Sequence, residues 1–318
     1  MPGCSKVAGV KKIVYIMSDN RSGSTLLDQL LGAHESVVSL GEVHHLRAYA
    51  LQDRSLYNPV HPLECYCGNV VDECSFWRNV EQRLGRPFGT LVLKPRFFGW
   101  SDGALTFLQR IRNRLRGFVG RNPQIVLSAP ISKLLNGPRV AQDSFALFDA
   151  IFDQTTATNL IDSSKSPFRF RMLYDDQPDR MCAIMLGRDY RGTVHSYVKR
   201  GQDVEASTRS WVLRMRQIEQ LTADIPKDQL IRVRYEDLCA DPRAELTRIC
   251  QFLKLEFSEN LLSRPSDDVH HLGGSPSKFD PGRQKISLDQ SYLDAFTVGQ
   301  LATMKDIVGE TAADWGYE

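Results

Sequence analysis

No stretch of this chain approaches the roughly 20 apolar residues that a membrane-spanning helix needs. Its first twelve residues, MPGCSKVAGVKK, hold no apolar core of signal-peptide length. The expectation is a cytoplasmic protein with no membrane span. A strong net charge is missing too: the balance is +2. No global field therefore argues for nucleic acid or an anionic membrane, and any affinity for anions must be local. An even cysteine set is absent as well. Seven cysteines are present, an odd number in keeping with reduced thiols. Internal repeats and low-complexity tracts are also lacking. What remains is an ordinary globular composition, 42% hydrophobic and 25% charged over 318 residues.

The stretch that organises the rest is KKIVYIMSDNRSGSTLLDQLLG, residues 11–32. Ile13–Met17 is a short apolar run suited to a buried strand. Ser18–Ser24 is a polar turn around Gly23. Leu26, Leu27, Leu30 and Leu31 then recur at helical spacing, with Asp28 and Gln29 on the other face. Strand, tight loop and helix aim backbone N–H groups and the positive end of a helix dipole at one point. Arg21 adds charge, and Ser22, Ser24 and Thr25 add hydroxyls. The stretch reads as a phosphate cradle, the alternative being an ordinary βα turn with an exposed arginine. It lacks the lysine of the G-x-x-x-x-G-K-S/T loop, since Ser24 stands at that position.

Further strands are predicted at Val37–Leu40, 159–162, 181–186 and 229–233. The first leads into Gly41-Glu42-Val43-His44-His45. The others end in Lys165, in Arg188 with Ser196 eight residues on, and in Tyr235. Helices are expected over Ala206–Leu221, Pro242–Leu253 and Leu288–Val308. Alternating strands and helices imply a P-loop-like three-layer α/β fold, a central parallel sheet with helices on both faces. Ligands of such sheets sit at the carboxyl ends of the strands, so these residues should converge into one cationic pocket. The chain is read as a single domain, 1–318, with a helical and loop insert at 51–150 that shapes an acceptor site. Within the insert, Gly103–Gly117 reads as a basic amphipathic helix. Trp77, Phe97, Phe98 and Trp100 suit core packing, or a sugar or aromatic acceptor. Cys65, Cys67 and Cys74 read as buried thiols of a loop knot. With His61 they would supply four zinc ligands, though C-x-C followed by C is not a standard zinc spacing. A disulfide there would need an oxidising setting.

The motifs together resemble the sulfotransferases that use 3′-phosphoadenosine 5′-phosphosulfate (PAPS). Arg21-Ser22-Gly23-Ser24-Thr25 looks like their 5′-phosphosulfate loop, Lys/Arg-Ser-Gly-Thr-Thr, with Ser24 keeping a hydroxyl. Arg188 and Ser196 look like the 3′-phosphate site, and Tyr235 in VRYEDL like the tyrosine that meets the adenine. The loop Leu-Gly-Gly-Ser-Pro-Ser277-Lys278 is similar to a late nucleotide-closing loop, G-G-N-P-x-R, with Ser275 for Asn and Lys278 for Arg. The resemblance covers about residues 10–45 and 158–300. The order of loop, leucine-rich helix, His34 and Glu42 looks closest to the tyrosylprotein and broad microbial branch, where the glutamate is the base. It implies Glu42, Arg21 and Lys165 as catalytic residues. It also implies PAPS as co-substrate, no metal at this site, and a hydroxyl-bearing acceptor with no nucleic acid. Two rivals remain. One is a P-loop kinase or NTPase, with Asp162 or Asp189 as metal acid; the other is a non-catalytic nucleotide-binding protein.

Overall fold

The computed structural model describes residues 11–57, 59, 61–95, 137–263, 269–275 and 286–317. The expected helix at 103–117, the aromatics Phe97, Phe98 and Trp100, and the loop residues Ser277 and Lys278 lie outside them.

Five strands form one sheet: β1 (Lys12–Ser18), β2 (Val37–Ser39), β3 (Asn159–Lys165), β4 (Met181–Gly187) and β5 (Leu230–Arg234). Their order is β2-β3-β1-β4-β5, and every pairing is parallel. The P-loop-like α/β architecture expected from the sequence is therefore present. Parallel strands need crossovers, and the sequence supplies helices for them. The helices used below are α1 (Ser24–Leu31), α2 (Leu46–Leu51), α3 (Ser75–Leu84), α4 (Gly137–Phe152), α5 (Pro167–Asp176), α6 (Tyr190–Val198), α7 (Val204–Thr222), α8 (Tyr235–Ala240), α9 (Pro242–Leu253) and α10 (Val298–Asp314). Among the described residues no helix is long and apolar enough to cross a membrane.

Strand β1 is covered on both faces, which is why its run is continuously apolar. Ile13, Tyr15 and Met17 point into one core with Phe170 of α5, Trp211 and Met215 of α7, and Met304 of α10. Val14 and Ile16 point into the other, with Leu27, Leu30 and Leu31 of α1 and Leu246 and Ile249 of α9. Trp77, Val80 and Phe88 join the first core, so the near part of the insert is built into the body. Trp77 is fully buried, on the packing side of its two readings.

Two details differ from the sequence reading. The closing helix begins at Val298, not Leu288. Thr297 and Gln300 form a reciprocal capping box there, which sets the start. Asp28 and Gln29, opposite the leucine face of α1, are both buried, because β2 and β3 lie against that side as well. The Asp28 carboxylate accepts from Ser39 Oγ at 2.8 Å and Ser163 Oγ at 2.9 Å. Burial pushes it up to about 7 despite those bonds.

Candidate active site

All five strands run toward the same edge of the sheet, and each delivers polar residues there. The loop after β1 brings Arg21 to Thr25, and β2 leads to Glu42. Strand β3 ends in Lys165, while β4 and β5 are followed by Arg188 and Tyr235. A cavity of about 970 Å³ opens at that edge. Arg21, Gly23, Ser24, Thr25, Glu42, Lys165, Arg188, Ser196 and Tyr235 all line it. These expected site residues therefore share one space, although they span more than 200 positions.

The loop after β1 turns through left-handed backbone at Arg21 (φ 68°) and Gly23 (φ 87°) before α1 starts. Gly23 has a second reason to be glycine: a Cβ there would collide with the Tyr235 ring. Tyr235 thus lies directly against the loop. Arg21 Nε donates to Ser196 Oγ at 2.9 Å, joining the two expected phosphate sites. Arg188 Nη1 donates to the Arg21 carbonyl oxygen at 3.0 Å, and its guanidinium sits 4.7 Å from the Tyr235 ring centre. Its Nη2 reaches Asp289 Oδ2 at 3.2 Å. Ser22 Oγ and Arg188 Nε are buried, with no hydrogen-bond partner among the described residues. Ser22 itself lies beneath the loop rather than on the cavity wall.

Lys165 is placed by a local irregularity. Tyr15 pairs with Asp162, but Met17 pairs with Lys165, so β3 spends three residues where β1 spends two. Such a bulge re-aims a side chain at a strand end. Lys165 sits at φ 65°, a conformation uncommon outside glycine. Its ammonium is hydrogen-bonded to Glu42 Oε1. The same carboxylate oxygen accepts from the Gly274 N–H at 3.1 Å, and Oε2 lies 3.5 Å from His45 Nε2. Burial pushes Glu42 up, but Lys165 and His45 outweigh it and hold the carboxyl well below its usual range. Gly273 (φ 68°) lies against Glu42; a Cβ there would be 2.7 Å from the glutamate Cβ.

His45, Lys94 and Arg214 were not singled out from the sequence. His45 stands three residues after Glu42, and that spacing was the available signal. Lys94 and Arg214 are brought in only by the fold. Lys94 Nζ lies 2.5 Å from His45 Nδ1, and the imidazole stacks on Tyr57 with ring centres 3.5 Å apart. Burial pushes His45 down to about 4 and Lys94 down to about 8. The ring is therefore neutral near pH 7. With Nδ1 accepting from Lys94, Nε2 carries the proton and faces Glu42. Arg214, Lys199 and Arg200 add charge to the cavity wall.

The acids that a metal-dependent kinase would use are committed elsewhere. Asp162 is fully buried against Arg169 at 2.5 Å. Asp189 caps α6 by accepting from the Arg191 N–H at 2.8 Å and pairs with the Arg191 guanidinium at 2.6 Å.

Fold and cavity define a P-loop-like α/β protein with a cationic site at the carboxyl edge of its sheet. Known proteins narrow this class. A family model described as the sulfotransferase family matches residues 175–259. That segment spans β4, with Arg188, Ser196 and Tyr235 after it. Among solved structures, the chain resembles the sulfotransferase domain from the curacin biosynthetic pathway at 19% identity and a TM-score of 0.56. That alignment covers 98% of this chain and 99% of the other. The sulfotransferase domain of the Synechococcus PCC 7002 olefin synthase aligns at 21% identity with a TM-score of 0.54, over 97% and 96% of the two chains. No curated protein matches the chain in sequence. The resemblance to sulfotransferases read from the motifs is thus borne out by the family-model match over 175–259 and by a fold shared with both solved domains over nearly the whole chain.

Proposed function

We propose that the protein transfers a sulfuryl group from PAPS to an acceptor hydroxyl, with Glu42 as general base. One observation carries the reading: the buried Glu42 carboxylate meets Lys165 at the mouth of the loop formed by Arg21 to Thr25, in the cavity that also holds Arg188, Ser196 and Tyr235. The backbone N–H groups of Ser22 to Thr25, with the Ser24 and Thr25 hydroxyls, would hold the 5′-phosphate. Arg188 and Ser196 would take the 3′-phosphate through charge-assisted bonds, with Tyr235 against the adenine. The closing loop, with Ser277 and Lys278, would complete the nucleotide site.

The acceptor oxygen attacks sulfur in line as the bond from sulfur to the bridging phosphate oxygen breaks. Its proton passes to Glu42, and the leaving group is the 3′,5′-bisphosphate. Arg21 and Lys165 neutralise the charge that builds on the bridging oxygen and the moving sulfonate. Lys165 has a double part. Paired with Glu42, it makes that carboxylate a weak base. Once Lys165 turns to the phosphosulfate, Glu42 is left with burial pushing its basicity up. General bases of this kind contribute about 10²–10⁴-fold. Lys165 and Lys94 also put two positive side chains beside the Glu42–His44–His45 group, which opposes a divalent cation there. Tyr57, His44 and His45 line the cavity near Glu42 and suit a carbohydrate, glycolipid or small-metabolite hydroxyl, with protein tyrosine as the second candidate.

The test pairs two variants with labelled PAPS and a panel of hydroxyl acceptors. Glu42→Gln should lower turnover at least about 100-fold and leave donor affinity intact or tighter, since Lys165 loses its competitor. Arg188→Ala should chiefly weaken the nucleotide in calorimetry without Mg²⁺. Full turnover in the glutamine variant would favour a non-catalytic binding role for the glutamate. Tight ATP binding that needs Mg²⁺ would favour the kinase reading.

A further inference from the structure

The insert cysteines meet a partner that sequence spacing did not suggest. Cys65, Cys67 and Cys74 converge on His270, and their four ligand atoms all lie within 4.8 Å of one another. Cys67 Sγ and Cys74 Sγ are 3.6 Å apart. His270 Nδ1 is 3.3 Å from Cys74 Sγ and 3.8 Å from Cys65 Sγ. A tetrahedral ion with metal–sulfur bonds of about 2.3 Å and a metal–nitrogen bond of about 2.0 Å sets ligand separations of about 3.5–3.8 Å. The three shortest separations, 3.3, 3.6 and 3.8 Å, lie close to that scale, and every other pair lies within 4.8 Å. They are far from the roughly 2.0 Å of a disulfide, and all three cysteines are free. His61 is not in the group; its Nδ1 lies 2.8 Å from the Pro62 carbonyl oxygen.

The surroundings hold these ligands in place. Asn69 Nδ2 lies 3.7 Å from Cys67 Sγ, and the Asn69 carbonyl accepts from the Cys65 N–H at 2.8 Å. The Gly68 N–H donates to the Cys65 carbonyl at 2.9 Å, closing a tight turn between the first two cysteines. Phe76 stacks on the His270 ring at 4.9 Å and 7°, fixing its plane. Supports of this kind commonly orient metal ligands.

We propose that Cys65, Cys67, Cys74 and His270 bind one zinc ion, through three thiolates and His270 Nδ1. Three sulfurs and one imidazole in a closed tetrahedron suit zinc, and four protein ligands leave no open position for catalysis. The ion is structural, and what it joins gives it a purpose. It ties the insert to residues 269–275. That segment then pairs Leu272 with Gly41 and donates from Gly274 to Glu42 and from Ser275 to Thr25. The metal clamps the strap that positions the candidate base.

The test needs no enzymatic activity. The chain is purified without chelator or metal-affinity tag, and its zinc is measured by elemental mass spectrometry. About one zinc per chain is expected. Substituted with Co²⁺, it should show thiolate-to-cobalt charge-transfer bands and the strong visible bands of a tetrahedral ion. Cys67 is exposed, so Cys67→Ser should fold while binding zinc at least 10-fold more weakly. Cys239→Ser, away from the cluster, should keep its zinc. Three outcomes would overturn the site: a metal-poor chain after refolding in excess zinc, an octahedral cobalt spectrum, or a Cys67→Ser variant with undiminished zinc affinity.

Discussion

At the scale of single residues, the pairing of Glu42 with Lys165 sets a pH signature. Kinetics under kcat/KM conditions report the free enzyme, in which Lys165 and His45 hold Glu42 well below its usual range. Its acid limb should therefore lie at unusually low pH. On the proposed mechanism Lys165 is drawn to the donor under kcat conditions, and burial would then raise the carboxyl. The acid limb of kcat should lie above that of kcat/KM by at least about one pH unit, where one unit is about 1.4 kcal/mol of differential interaction. Coincident limbs would mean that Lys165 does not change partners. At this scale the sequence was readable where chemistry is contiguous. Arg21 to Thr25 declare themselves as a loop, and Arg188 with Ser196 as a spaced pair. Lys94, Arg214 and His270 carry no local signal, because only the folded chain brings them to His45, the cavity wall and the cysteines.

At the scale of elements, the site depends on three backbone irregularities: the bulge before Lys165, the left-handed loop at Arg21 and Gly23, and the glycines of the strap. The strands themselves were legible, since runs such as Arg180–Leu186 are long, apolar and bounded by turn residues. The bulge was not, because register is decided by the neighbouring strand. The start of α10 was misplaced for a similar reason: apolar periodicity continues upstream of Thr297, while capping chemistry decides where the helix begins. Gly273→Ala tests the strap. Its φ of 68° costs an L-residue roughly 1–2 kcal/mol, and the added methyl would press on Glu42. The variant should stay folded, lose about 1–2 kcal/mol in urea unfolding, and lose turnover by much more than that stability change suggests. Equal losses in a distant αL position, such as Gly201→Ala with open space around it, would show that only backbone strain is being measured.

At the scale of the whole molecule, the strand order puts β1 at the centre; the connection after β1 leads out to β2 at one edge, and the connection after β3 crosses to β4 on the other side. Crevices form at such switch points, which explains why residues so far apart in sequence share one cavity. The insert is joined to this frame by a buried tie. Arg169 of α5 pairs with Asp162 of β3 at 2.5 Å, donates to the Leu93 carbonyl oxygen at 2.7 Å, and reaches Ser144 Oγ of α4 at 3.0 Å. One fully buried guanidinium thus holds sheet, helix layer and insert together. Removing one member of such a pair leaves the other charge uncompensated, at a cost of about 3–5 kcal/mol. Arg169→Met should therefore destabilise the fold by about that much, and Asp162→Asn added to it should restore most of the loss. If 1–318 is one cooperative domain, far-ultraviolet circular dichroism and the fluorescence of its four tryptophans should trace a single coincident urea transition in both variants. Separate transitions in Arg169→Met would show that the insert is an independent unit and that the tie, rather than the shared core, joins it to the sheet.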